Sequence, residues 1–284
     1  MAEPAPTRPA VQHLVVRYAK RGKMRFASHR DVARAFERGV RRAGLPIAYS
    51  AGFTPHPKIS YAGGAPTGVA SEAEYLSLAL TERQAETQVG QRLDAALPDG
   101  IDVIDVMDAR ELWEDGSRSR GGPGESSPRA GTPFGQLEAS AWRVVLPGVR
   151  PAAAQRAAAR FLALAEAPVE RLTDKGVRRL DARAAVVEMN VVEMNVIEVA
   201  QPGRGNPADP GDGQRTAGPG QEDCAILRMV VLHTAPAVRP DDVVAALREQ
   251  DGIVPSSPPM TTRLAQGPRA SLTGPALLAG DGAS

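Results

Sequence analysis

Cysteine is almost missing: Cys224 is the single one in 284 residues. A lone thiol forms no intrachain disulfide, while an iron–sulfur cluster or a structural zinc takes about three or four Cys or His ligands at close spacing. The four histidines, His13, His29, His56 and His233, are scattered along the chain. No metal motif is present, and no cofactor of the chain's own is expected. Aromatic residues make up only 4%, so any core must be built mainly from Val, Leu, Ala and Ile. Long apolar runs are missing too. No segment approaches the roughly 18 uninterrupted apolar residues of a membrane span, and MAEPAPTRPAV lacks the apolar stretch of a secretory signal. The expectation is a soluble, cytoplasmic protein with no membrane partner. Net charge is slight as well, at +1, which gives little long-range attraction for any polyanion.

What is present is unevenly spread. A chain of 284 residues exceeds the usual domain size of roughly 100–150, which favours two modest domains. Residues 11–18 read as a β-branched strand. Ser28 is a good N-cap for a helix of about four turns that ends at Gly44-Leu45-Pro46. Extended segments around 47–50 and 58–62, a strand at 73–80, a helix near 84–96 and a strand at 101–107 follow. That order, β-α-β-β-α-β, is the ferredoxin-like unit.

Composition then changes to Gly, Ser, Pro and charge, as in EDGSRSRGGPGESSPRAGTPFGQ. Such a stretch cannot bury enough apolar surface to offset its ordering entropy, so residues 111–136 read as a flexible linker. Beyond it the order recurs more loosely: a strand at 138–146, an Ala-rich helix from Pro151, extended segments at 168–172 and 184–199, a strand at 223–233, a helix at 240–250 and an extended piece near 260–272. Residues 201–221 hold ten Gly or Pro in 21 positions and read as a disordered hairpin insertion. The expected architecture is α+β, two tandem ferredoxin-like domains at 11–110 and 137–272. A tandem VVEMNVVEMN at 186–195 has an odd period, so in a strand its two copies face opposite ways unless a bulge intervenes.

Charge is concentrated in the first helix. Over residues 17–42 there are ten Lys or Arg against two acids. At 100° per residue Arg30, Arg34, Arg38 and Arg41 fall within an arc of about 80°, opposite Val32, Ala33, Phe36, Val40 and Ala43. The apolar side packs on a sheet and the arginines face water, a footprint that suits the phosphates of RNA. Nothing in the pattern selects DNA. Arg42 and Lys58 lie at the margin of this surface, and Tyr49 and Phe53 are candidates to stack on bases. The counterweight is residues 70–111, with ten acids and three arginines. That segment either forms a separate face that keeps the protein soluble or docks a basic partner.

In AYSAGFTPHPKISYAGGAPTGVASEAEY, residues 48–75, Pro55 and Pro57 hold Thr54 and His56 extended, which presents His56 beside Lys58. Gly63, Gly64 and Gly68 let backbone approach a phosphate, but neither a P-loop nor a dinucleotide fingerprint is complete. His29 and His56 are candidates for metal-free acid–base cleavage of RNA if the fold brings them together. Cys224, in DCAILRMVVL, reads as a strand residue.

The stretch FASHRDVARAFERGVRRAGLPIAYSAGFTPHPKISYAGGAPTGVASEAEYLSLAL, residues 26–80, closely resembles the uncharacterised radical SAM-associated family of bacterial proteins. The likeness spans roughly residues 11–108 and continues more thinly in KGVRRLDAR and LRMVVLHTAPAVRPDDVVAAL. The family has no established reaction, so the resemblance implies no catalytic residue. It implies a separate radical SAM protein as a possible partner, since this chain has no CxxxCxxC. The repeated β-α-β-β-α-β order is also similar, at fold level only, to tandem ferredoxin-like RNA-processing proteins of CRISPR systems. Together these readings give an RNA-binding or RNA-processing accessory protein. The alternatives are a metal-independent ribonuclease using His29 and His56, and an adaptor for a separate radical SAM enzyme.

Overall fold

The apolar run near the N-terminus forms β1 (Gln12–Lys20), and its alternation organises the first unit of the chain. In the computed structural model, which describes residues 8–110, 134–173, 176–193 and 223–273, two units are present. One takes in Met1–Trp142 and Thr261–Thr273, the other Arg143–Met260 and Gly274–Ser284. The class is mixed α/β.

In the first unit β1 is followed by a 3₁₀ turn (Gly22–Phe26), α1 (His29–Arg42), β2 (Ile59–Tyr61), β3 (Ala70–Leu80), α2 (Glu86–Asp94) and β4 (Ile101–Asp108). β1 pairs antiparallel with both β3 and β4, and β2 pairs antiparallel with β3. A late strand, β10 (Met260–Gly267), runs parallel to β3, with Thr262 opposite Ala70 and Arg263 opposite Ser71. Leu14, Val16 and Tyr18 of β1 share a core with Leu76, Leu78 and Leu80 of β3, because alternate strand residues face one side. Val32, Phe36 and Val40 of α1 recur every fourth residue and cover that face together with Val89 and Leu93 of α2. Val15 points the other way and packs with Ala62, Ala109 and Phe134. Full burial of a side chain such as Phe36 contributes roughly 1.5–3 kcal/mol.

The ends of α1 follow from its flanking residues. Asp31 N–H donates to Ser28 Oγ at 3.2 Å and Ser28 N–H donates to Asp31 Oδ2 at 3.2 Å, which satisfies donors that the first helical turn leaves open. At the other end Gly44 adopts φ +58°. Its N–H reaches Arg41 O and that of Leu45 reaches Val40 O, after which Pro46 prevents continuation.

The second unit holds the Arg143–Pro147 part of β5 (Ala139–Pro147), α3 (Pro151–Ala163), β6 (Pro168–Thr173), β7 (Gly176–Asp181), α4 (Ala182–Ala185), β8 (Val186–Glu193), β9 (Cys224–Leu232) and α5 (Pro240–Asp251). A further short helix, α6 (Arg269–Leu272), follows β10. β9 lies between β5 and the antiparallel β8. α3 presents Ala154, Ala157, Ala158 and Phe161 to the interior and packs on β8, β9 and α5.

This unit departs from the second β-α-β-β-α-β copy expected from sequence. Among the described residues β6 and β7 pair only with each other, as a separate two-stranded sheet, and β10 from Thr261 onward belongs to the first unit, where it pairs with β3. β7 is exposed along most of its length, so it carries no apolar alternation that would mark it as a strand.

In β8 the pairing with β9 runs without interruption from Glu188 to Glu193, the register shift lying between Val186 and Glu188. The shift therefore falls inside the first VVEMN copy, and the two copies meet at Asn190 and Val191, which pair with Arg228 and Leu227 in unbroken register. Met194 and Asn195 lie outside the described residues, as do residues 111–133 of the expected linker and all of 201–221. Among the described residues, no helix is long and apolar enough to cross a membrane.

Candidate nucleic-acid interface

Packing of its apolar side on the sheet leaves α1 with a basic outer face. Arg30, Arg34, Arg38, Arg41 and Arg42 are all exposed, and none of them forms an ion pair among the described residues. The acid nearest the helix start is engaged: Asp31 accepts from the hydroxyl of Ser28 at 2.6 Å. That bond, with the one from the Ser28 backbone, holds the Asp31 carboxyl below the usual carboxylate range.

The cations that precede α1 behave differently. Arg21 pairs with Glu72 and, through Nη1, with Asp102 at 2.9 Å, and the hydrogen bonds to Glu72 push its pKa up. Arg17 Nε donates to the carbonyl of Glu72 at 3.1 Å. Lys20 is buried, with Nζ donating to the carbonyls of Ala65 at 3.1 Å and Pro66 at 3.4 Å; desolvation pulls its pKa down. Of the basic run at 17–42, the helical arginines are therefore the part left open to a ligand, together with the margins at Lys23 and Arg25.

Sequence reasoning missed a buried ionic cluster beneath the Gly-rich loop. Glu74, 3% exposed, accepts from Arg263 Nη1 at 3.0 Å and from the Ala65 N–H at 3.1 Å. The same Nη1 also donates to Gly63 O at 3.0 Å, and the guanidinium of Arg263 stacks on Trp142 at 4.7 Å. Burial lowers the Arg263 pKa and raises that of Tyr18, which lies opposite Glu74 on β1. One signal was legible. Glu74 continues the inward spacing of Leu76, Leu78 and Leu80, and a carboxylate at an inward position requires a partner.

Other candidates are spread over the unit. The ring of His29, exposed at the first position of α1, meets Tyr61 edge-on at 5.3 Å. His56 is also exposed, its backbone N–H donating to Ser50 Oγ at 3.0 Å. No hydrogen bond or ring contact joins the two histidines among the described residues. Tyr49 bridges Pro57 and packs against the core, whereas Phe53 is 86% exposed at the tip between them. Lys58 is exposed. Arg92, outside the stripe, donates through Nη2 to the carbonyls of Ala43 and Gly44 and so closes the end of α1. Cys224 opens β9 half-buried, and burial pushes its thiol up, away from a reactive thiolate. Among the described residues, no group of His, Cys, Asp and Glu is arranged to hold a metal ion.

Many carboxylates of residues 70–111 are engaged inside the unit. Glu72 and Asp102 hold Arg21, Glu74 holds Arg263, and Asp94 accepts from the Val103 N–H at 2.7 Å. Glu86, Asp94 and Asp105 line an open groove between α2 and β4.

Fold and site together define a mixed α/β protein that presents one arginine-faced helix from a sheet-backed unit. The chain belongs to a family described as uncharacterized protein conserved in bacteria (DUF2344), whose model matches residues 13–240. A comparison with curated proteins gives no match.

Proposed function

We propose that this chain is an RNA-binding or RNA-processing accessory protein whose α1 arginines hold phosphates. The observation that carries the reading is the contrast between cations of one basic run. Arg17, Lys20 and Arg21 are tied to the first unit's own carbonyls and carboxylates, while Arg30, Arg34, Arg38 and Arg41 face solvent without an ion pair among the described residues. Guanidinium groups suit phosphate through their planar fork of donors. At 1.5 Å per residue the stripe is roughly 16 Å long, enough to follow a backbone over several nucleotides. We read the carrier as a ferredoxin-like unit, on the strength of its β-α-β-β-α-β order and of pairings that place β1 between β4 and β3, with β2 beyond β3. A separate radical SAM enzyme as a partner rests on the resemblance of residues 26–80 and is tested by looking for an iron–sulfur protein that co-purifies.

The direct test is the salt dependence of RNA binding. If the four stripe arginines meet phosphates, the logarithm of affinity falls against the logarithm of salt with a slope of about −3, from roughly 0.7 per contact on single strands. Replacing Arg34 and Arg38 by Gln flattens the slope by about one to one and a half units. Absence of salt-dependent RNA binding by the unaltered protein removes the proposal.

A further inference from the structure

We infer that Arg25 and Phe26 form a stacking platform for an unpaired base, which makes the ligand of the arginine face a single strand rather than a duplex; the inference rests on the RNA-binding reading above. The chain has five phenylalanines. Phe36, Phe134 and Phe161 are buried, as expected of a large apolar ring in a protein poor in aromatics, and Phe53 is exposed at the tip between Tyr49 and Pro57. Phe26 is 59% exposed.

Loose backbone does not account for that exposure. Phe26 ends the 3₁₀ turn at Gly22–Phe26, and hydrogen bonds fix this turn on every side. Arg21 N–H donates to Gly100 O at 2.8 Å, Met24 N–H to Arg21 O at 3.0 Å, Ala27 N–H to Met24 O at 2.9 Å and Gly68 N–H to Arg25 O at 2.8 Å. Met24, in the same turn, packs on the core. The ring is thus held out from an anchored segment, so little ordering entropy is lost when something stacks on it.

The neighbouring side chain points to what stacks. The Arg25 guanidinium lies over the Phe26 ring at 4.6 Å, and its Nε is buried without a hydrogen-bond partner. A guanidinium plane beside an aromatic ring offers a base both a π-face and a cation. Ser28 and the basic face of α1 follow immediately in the chain, so the platform sits where the phosphate-binding stripe begins. An apolar protein partner would gain from the ring but not from the surrounding positive charge. A nucleic-acid strand supplies both chemistries, yet in a duplex its base faces are hidden in the stack. Unpaired bases are the occupant that fits.

The experiment compares a short single-stranded RNA with the duplex it forms with its complement, against the unaltered full chain, Phe26→Ala, Phe26→Trp and the double variant Arg34→Gln, Arg38→Gln. A fluorescent adenine analogue in the strand reports stacking by quenching. The inference expects Phe26→Ala to weaken single-strand binding by about tenfold or more and abolish the quenching, with duplex binding and the salt slope unchanged. Phe26→Trp restores both. The arginine variant weakens single strand and duplex alike. If neither RNA binds the unaltered protein, the RNA-binding reading itself fails. If the RNAs bind but Phe26→Ala leaves single-strand affinity and quenching unchanged, or weakens both RNAs equally, the platform is overturned while the arginine reading stands.

Discussion

Three single residues separate local stabilisation from buried electrostatics. Ser28 closes the start of α1 by exchanging hydrogen bonds with Asp31, and replacing it with Ala is expected to cost about 1 kcal/mol in urea unfolding. The pH dependence has a definite sign. The Asp31 pKa is depressed in the folded state, so its contribution is present above the unfolded carboxylate value of about 3.9 and is lost as pH falls through the lower folded value. In Ser28→Ala the Asp31 titration, followed by NMR, moves up toward the ordinary value; an unchanged titration would show that the cap is not the cause. Glu74 is the contrasting case. It is the carboxylate bonded to Arg263, with Lys20 also acting on the same buried site. Glu74→Gln leaves those cations buried without it and is expected to cost on the order of 3 kcal/mol or more. Arg21→Gln breaks contacts to two carboxylates, yet the Arg21 side chain is 49% exposed and solvent screens the pair, so the cost stays under about 1 kcal/mol. Equal losses in chemical denaturation would contradict the distinction.

At the scale of elements, most of the first unit was readable from short-range pattern. The spacing of Val32, Phe36 and Val40, the Ser28 cap and the Gly44–Pro46 stop define α1, because each acts within a turn or two of its own position. The outward set of arginines follows from the inward apolar set. What escaped the sequence was long-range pairing. Arg21 finds Glu72 at a separation of 51 residues and Arg263 finds Glu74 at 189, and no local pattern tells which arginine of a basic run will be neutralised. The exposed hairpin strand β7 escaped as well, since it has no apolar period; the 3₁₀ turn carrying Phe26 follows β1 directly. The junction of that turn with β4 gives a test. Gly100 has φ +86°, and a Cβ there would lie 2.7 Å from the Arg21 carbonyl oxygen, on backbone fixed by the Arg21 N–H bond to Gly100 O. Gly100→Ala is expected to lose roughly 2 kcal/mol or more, from the left-handed backbone and the clash together. Gly63→Ala, whose Cβ would meet nothing within 4 Å, changes stability by less than about 0.5 kcal/mol. Thermal unfolding of the two variants ranks them, and similar midpoints would show that the turn gives way.

For the whole molecule, the question is whether RNA responds to total charge or to where the charge sits. Net charge is +1, so the overall field attracts a polyanion weakly, and binding has to come from a surface within about a Debye length, roughly 8–10 Å at ordinary ionic strength. Arg150 and Arg156, exposed in the second unit at the start of and within α3, provide the control. Changing both to Glu makes the protein more negative than changing Arg34 and Arg38 to Gln, since each reversal removes two charges and each neutralisation removes one. If placement governs, the more negative protein keeps its affinity and salt slope, while the less altered one loses about one to one and a half units of slope. Arg92 does not serve as a control, because it closes the end of α1 and its removal would disturb the stripe indirectly. Binding of one labelled RNA to both variants over a range of salt decides the matter. A larger loss from the Arg150 and Arg156 reversals would mean that RNA responds to total charge, and the arginine face of α1 would then be an ordinary solvated surface.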